Sequence, residues 1–361
     1  MLYDDGFTTP EARRGRGALT NRVGRYEART RAPVDDGWPV GEAPPPLRTE
    51  VSEERPRRVI TRNTSPDLSF DRSINPYRGC EHGCVYCYAR PSHAWLGLSP
   101  GLDFETKLVA RPDAPEVLAR ELRKPGYRPE VIAIGTNTDP YQPIEARYGI
   151  MRRILEVLQA HRHPVAIVTK GSLIERDVDI LADMAGQGLA RVGISVTTLA
   201  PQVARAMEPR VPHPERRLQT IRRLSAAGVP VRVMPSPVIP ALTDHELEKI
   251  LEAAAEAGAV AASWVMLRLP LEVAPLFREW VAEAFPDRAA RIMNRVRELH
   301  GGRDYDPEWG KRLRGEGAFA ELFAHRFKIA VRRLGLVEEL PPLRTDLFRV
   351  PPRAGDQLEL F

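Results

Sequence analysis

From residue 70 onwards, hydrophobic positions fall into short continuous runs, each followed by a stretch with apolar residues at three-to-four spacing. The runs cover residues 131–135, 165–169, 192–196, 229–234 and 261–269, and the helical patterns behind them cover 146–160, 176–185, 215–227, 244–257 and 274–284. A run that is apolar at successive positions is what a strand buried on both faces requires. A short strand over 71–76 precedes them and makes six. A second extended piece, 104–110, leads into a helix at 114–123. Strands alternating with helices predict a parallel sheet covered by helices, closed as a barrel or open and doubly wound. Barrel function lies at the C-terminal strand ends, so the loops leaving these strands are the ones to inspect.

Outside this core, at residues 63–285, the pattern changes. Residues 1–62 show little periodicity, are broken by Pro39, Pro44, Pro45 and Pro46, and are expected to form an arginine-rich, disordered arm whose Trp38 could pack on the core domain. Residues 286–340 carry two basic amphipathic patterns, 288–300 and 319–334, expected to close the open side of the barrel as a helical C-terminal extension. A flexible tail, 341–361, follows.

Composition narrows the class. The chain has 361 residues, 43% of them apolar, enough for a sizeable core. Its longest apolar stretch, near 259–267, is far shorter than the roughly 20 residues of a membrane span. No basic and apolar leader opens it, so a cytoplasmic protein with no membrane contact is expected. Net charge is +5, and residues 11–31 alone carry Arg13, Arg14, Arg16, Arg22, Arg25, Arg29 and Arg31 against Glu11 and Glu27. Such a segment could neutralise phosphates. Arg291, Arg295, Arg297, Arg312, Arg314, Arg326, Arg332 and Arg333 could add a basic face on the C-terminal helices.

All three cysteines lie in Gly79-Cys80-Glu81-His82-Gly83-Cys84-Val85-Tyr86-Cys87-Tyr88, directly after the first strand. A four-iron cubane takes four protein thiolates, so C-x3-C-x2-C would leave one iron open. The same thiols with His82 or His93 could instead form a closed Cys3His zinc site in a non-catalytic nucleic-acid-binding module.

The cysteine spacing resembles the signature of the radical S-adenosylmethionine (SAM) superfamily. The resemblance implies a partial (β/α)6 barrel of the TIM type, with a [4Fe-4S] cluster on Cys80, Cys84 and Cys87. It also implies SAM on the open iron and reductive cleavage of SAM to a 5'-deoxyadenosyl radical. By the same resemblance Thr136, Asn137, Thr138 and Asp139 would hold the amino group of SAM, and Lys170 its carboxylate. Ser195 would meet its ribose or carboxylate, Arg210 would form a charge pair nearby, and Pro237 would lie in the loop against adenine. A reductant such as flavodoxin or ferredoxin is implied as partner.

Asn75-Pro76-Tyr77-x-Gly79-Cys80, the Tyr86-Cys87-Tyr88 run, residues 136–142, Thr169-Lys170-Gly171 and residues 237–244 look like the spore photoproduct lyase-like group. That implies a nucleic-acid substrate and DNA lesion repair or processing; a protein or small metabolite is the alternative substrate. Those lyases quench the product radical with a separate cysteine. This chain has no fourth cysteine, which leaves Tyr86 and Tyr88 as candidate catalytic hydrogen relays. The terminal Gln357-Leu358-Glu359-Leu360-Phe361 resembles the peptide with which bacterial repair proteins dock on the sliding DNA clamp.

Overall fold

The computed structural model describes residues 10, 11, 13–27 and 45–352. Its strands are β1 (Glu50–Glu53), β2 (Thr61–Arg62), β3 (Arg72–Ile74), β4 (Tyr77–Arg78), β5 (Lys107–Ala110), β6 (Ile132–Ile134), β7 (Val165–Thr169), β8 (Ala190–Ser195), β9 (Val231–Met234) and β10 (Ala261–Ala262). The larger sheet runs β10-β9-β8-β7-β6-β3-β2, and a small one runs β1-β5-β4. Strands β3 and β6 to β10 are parallel neighbours in chain order, while β2 is antiparallel to β3. The six expected strands are therefore one sheet, and its two edges, β10 and β2, are not joined: the barrel is partial.

Helices Ala114–Leu122, Ile150–Ala160, Val178–Gly186, Pro214–Ala226, Leu247–Glu256 and Val273–Ala284 match the expected patterns. On β7 and β9 the positions Val165, Ile167, Val231 and Val233 are fully sealed against helical residues such as Ile154, Leu155, Leu158, Leu181 and Met184. Each such side chain stabilises the fold by about 1.5–3 kcal/mol. The alternate positions Ala166, Val168, Arg232 and Met234 are only half-buried. The second face of the sheet is thus less closed than the apolar runs implied.

The sixth strand departs from expectation. Only Ala261–Ala262 is regular, because the chain beyond it turns to other partners. Val238 N donates to Val265 O at 2.8 Å, Leu267 N to Val238 O at 2.9 Å and Met266 N to Leu313 O at 2.9 Å. The C-terminal helices Pro286–Leu299 and Ala318–Arg333 form as expected. Phe323 and Phe327 pack on Trp264, with ring centroids 4.9 and 6.3 Å apart, and Val337 bridges Ala261, so the extension covers the β10 edge.

Its arginines are largely engaged within the protein. Arg295 pairs with Glu298, Arg297 with Asp304, Arg312 with Asp67, Arg326 with Glu248 and Arg333 with Glu252, and Arg314 stacks on Trp264. Of the expected basic face, Arg291 and Arg332 remain exposed without such a pairing among the described residues.

The described part of the N-terminal segment is not free either. Arg16 donates to Glu105 O, Leu47 O and Thr49 Oγ1 at 2.9, 2.8 and 3.1 Å. Arg13, Arg22 and Arg25 pair with Glu283, Glu279 and Glu272 along helix Val273–Ala284 and its N-cap. For Arg13, Arg22 and Arg25, carboxylates of the same chain take the place the phosphate reading gave to nucleic acid, while Arg14 stays exposed. Arg29, Arg31, Trp38 and the Gln357-to-Phe361 peptide lie outside the described residues.

Candidate functional site

The thiol loop leaves the C-terminal end of β3 and passes through β4. Gly79 and Gly83 have φ of +73° and +67°. A Cβ on Gly79 would lie 2.6 Å from Leu108 Cδ2 and 2.8 Å from Phe104 O, so glycine is required on both counts. Cys80 N donates to Phe104 O at 2.9 Å, Cys87 N to Cys84 O at 3.2 Å and Val85 N to Met207 O at 3.1 Å. Gln142 clamps the loop by accepting from Glu81 N at 2.8 Å and donating to Gly79 O at 3.2 Å.

Beneath the loop lies a buried pair that sequence reading missed. Arg90 and Glu105 meet at 2.5 Å with neither side chain exposed. Arg90 also donates to Cys84 O at 2.9 Å and to Pro100 O and Gly101 O at 3.1 and 2.9 Å. The Glu105 carboxylate accepts from Gly17 N and Ala18 N, each at 2.8 Å. The N-terminal segment is thereby strapped against the back of the loop, so closely that a Cβ on Gly17 would sit 1.8 Å from Gly83 O. No periodicity announces such a pair; two charged residues flanking a cysteine loop were the available signal.

Cys80 and Cys84 are buried and Cys87 is half-buried, and all three are free thiols. Burial raises the Cys80 thiol, and Asp139, Cys84 and Cys87 raise it further. Burial also raises the Cys87 thiol, while Arg90, Lys170 and Arg268 pull it back. Burial and the neighbouring sulfurs thus disfavour the thiolates, which a bound metal would stabilise. The donor set fits a cubane, which is ligated at separate irons. The zinc alternative instead requires donors that converge on one ion. Among the described residues no such convergent group exists. Both candidate fourth ligands are otherwise placed, His93 Nε2 bonding Lys107 O at 2.8 Å and His82 Nδ1 lying 3.4 Å from Asp139 Oδ2.

The loop after β6 is drawn to the thiols, but largely by its own side chains. Thr138 Oγ1 donates to Tyr77 O at 3.1 Å, and Asn137 N donates to Asn75 Oδ1 at 3.2 Å. Asp139 accepts from Tyr141 N, Thr169 Oγ1 and Lys170 N at 2.9, 2.6 and 2.7 Å. Burial opposes ionisation of Asp139, yet His82, Thr169 and the Lys170 amide together hold its carboxyl down to about 2. Asp139 thus stitches three loops together.

Lys170 has its ammonium 5.8 Å from the Tyr86 ring centroid, over the thiol loop. Ser195 donates to Ser236 O at 2.8 Å, in the loop that contains Pro237. Arg210 pairs with Glu81 at 3.2 Å. It lines a cavity of about 450 Å³ with Arg16, Glu81 and residues 45–49, on the strap side of the loop.

The two tyrosines have different surroundings. Tyr86 is buried and donates to Glu208, which also accepts from Thr197 Oγ1 at 2.9 Å and Arg217 at 2.7 Å. Tyr88 is 43% exposed, donates to Thr136 O and carries the Arg268 guanidinium 4.0 Å above its ring. Glu208, Arg217, Gln142 and Arg268 are further site residues that apolar patterning could not single out.

Comparisons with known proteins agree with this architecture. The chain superimposes on a mutant of spore photoproduct lyase with a TM-score of 0.58 at 15% identity, covering 80% of this chain and 81% of that one. A mutant of that lyase with bound AdoMet and dinucleoside spore photoproduct gives 0.57, covering 80% of each chain. At this identity the likeness is one of fold. An uncharacterized protein of Mycobacterium tuberculosis is 40% identical over 242 residues, 66% of this chain and 70% of that protein. One from Methanocaldococcus jannaschii is 26% identical over 199 residues, 55% of this chain and 71% of that protein. The profile of the radical SAM superfamily matches residues 74–254, the span from the end of β3 to the helix after β9. No helix among the described residues is long and apolar enough to cross a membrane. With the family profile spanning the thiol loop and the strands that frame it, the chain belongs to the radical SAM superfamily and is a radical SAM enzyme.

Proposed function

We propose that this enzyme acts on nucleic acid, in DNA lesion repair or processing. The observation that supports it most is the mouth of the thiol loop, where Lys170, Arg268 and the exposed Tyr88 stand together. A mouth of two cations and an aromatic ring suits a base and its phosphate. The fold is shared with a lyase whose structure holds a dinucleoside lesion.

Family membership implies a [4Fe-4S] cluster and SAM, and Cys80, Cys84 and Cys87 would hold the cluster. When bound, the cluster supplies the electron that cleaves SAM to methionine and a 5'-deoxyadenosyl radical, after reduction by a flavodoxin or ferredoxin. Lys170, beside Tyr86 over the thiol loop, would pair with the carboxylate of SAM. Because Thr138 and Asp139 have their side chains engaged, residues 136–139 would meet the amino group through backbone carbonyls. Ser195 orients the Pro237 loop through Ser236 rather than offering a free hydroxyl. Arg210 acts on the loop through Glu81.

With no fourth cysteine, a hydrogen atom must return to the product by another route. Tyr88, open to the mouth, can give its O–H hydrogen atom to the product radical, and the tyrosyl radical so formed would return to tyrosine by taking one electron from the flavodoxin or ferredoxin and one proton from solvent. The terminal Gln357-to-Phe361 peptide would dock on the sliding clamp, and its deletion should abolish clamp pull-down.

The decisive assay is anaerobic SAM cleavage with and without ultraviolet-damaged DNA. Damaged DNA should raise 5'-deoxyadenosine formation, and Cys84→Ala should lose both iron and cleavage. A rate that stays flat with DNA but rises with a protein or metabolite extract refutes the nucleic-acid reading.

A further inference from the structure

We infer that Arg268 anchors a phosphodiester of the substrate, an inference that rests on the nucleic-acid reading and deepens it. Several buried and half-buried arginines of this chain meet carboxylates, Arg90 with Glu105, Arg176 with Glu145, Arg217 with Glu208, Arg312 with Asp67 and Arg326 with Glu248, while Arg16 is held by carbonyls. Arg268 is half-buried at the mouth of the thiol loop, yet among the described residues no carboxylate pairs with it. A half-desolvated cation without a counter-ion is costly in the free protein and gains correspondingly when an anion arrives.

Its geometry suits that anion. The backbone on either side is fixed, since Leu267 and Leu269 are buried and Leu267 N bonds Val238 O at 2.9 Å. The guanidinium lies 4.0 Å from the centroid of the Tyr88 ring, the residue next to Cys87. The guanidinium covers the Tyr88 ring and hydrogen-bonds the Tyr88 side chain, and its remaining N–H groups form the planar fork that matches phosphate oxygens bidentately. Lys170 sits by Tyr86 and is the cation proposed above for the carboxylate of SAM, which leaves Arg268 for the substrate. The carrying base would then lie against the exposed part of Tyr88.

The test uses full-length holoenzyme, reconstituted anaerobically and loaded with SAM, with a ten-residue oligothymidylate as probe and affinity measured across a salt series. Replacing Arg268→Gln should weaken binding on the order of tenfold or more, the loss of one charge-assisted bidentate contact. It should also reduce the salt slope by about 0.7, one phosphate contact on a single strand. Weaker binding with an unchanged slope, or binding equal to wild type, overturns the role of Arg268 while the nucleic-acid reading stands. No binding by the wild-type holoenzyme overturns both. Iron content is measured on each variant. If R268Q takes up no iron, R268K replaces it: it must keep the wild-type slope, having kept the charge, while binding more weakly without the planar fork. A reduced slope in iron-replete R268K overturns the assignment.

Discussion

Exchanging Glu105 for glutamine removes one charge beneath the thiol loop and should do disproportionate damage. Arg90 would be left fully buried without its counter-ion. Breaking a buried pair from one side costs about 3–5 kcal/mol. The carbonyls of Cys84, Pro100 and Gly101 still solvate Arg90, which favours the lower end, about 3 kcal/mol. The glutamine amide must then turn an NH2 toward a donor it used to accept from, Gly17 N or Ala18 N, adding about 1–3 kcal/mol.

A total near 5 kcal/mol is a large share of a typical domain's stability. It should appear as a lowered urea midpoint, together with rapid tryptic cleavage after Arg13, Arg14 and Arg22 as the strap lifts. The companion variant Gly17→Ala places a Cβ 1.8 Å from Gly83 O. It should free the strap while sparing the Arg90–Glu105 pair, so it loses tryptic protection at a smaller cost in stability. An E105Q protein within about 1 kcal/mol of wild type, with its strap still protected, would refute this reasoning.

Asp139→Asn should cost about 2 kcal/mol at neutral pH, the worth of holding a carboxyl at about 2 instead of 3.8. Because the folded-state value is the lower one, that stability is present above pH 4 and is lost as pH falls toward 2. The gap between D139N and wild type in urea titrations should therefore narrow over that window; a constant gap contradicts the assignment. Tyr86→Phe removes one of the donors on Glu208 and should lower stability by about 1–2 kcal/mol in thermal unfolding. Tyr88→Phe, at a partly exposed ring, should leave the midpoint nearly unmoved and instead reduce product formed per SAM cleaved. Equal effects of the two substitutions on unfolding would contradict the difference in their surroundings.

The sheet was readable because burial on helices writes itself as continuous apolar runs, and residues 131–135, 165–169 and 229–234 became β6, β7 and β9 almost unchanged. Residues 263–269 looked like strand for the same reason, yet their apolar side chains serve a bent segment paired with Val238 and Leu313. Hydrophobicity reports burial and not hydrogen-bond partner. The thiol loop was legible from cysteine spacing alone.

What holds the loop was not legible. Arg90, Glu105, Gln142 and Glu208 are polar residues whose partners lie 15 to 122 positions away, and polar pairs leave no periodic trace. The N-terminal segment looked free for a related reason: its anchors are backbone amides and arginines, with Ala18 the apolar residue it buries against Leu102 and Leu276. Ser195 ends β8 and Asp139 lies in the loop after β6, and the side chains of both are spent on neighbouring loops.

The strap imposes an order of events on a newly made chain. Gly17 can seat only when Gly83 and Glu105 are in place, and Arg22 and Arg25 can latch only when helix Val273–Ala284 exists. Residues 13–25 therefore find their positions only after elements that come later in the chain. Until then the back of the cysteine loop stands uncovered.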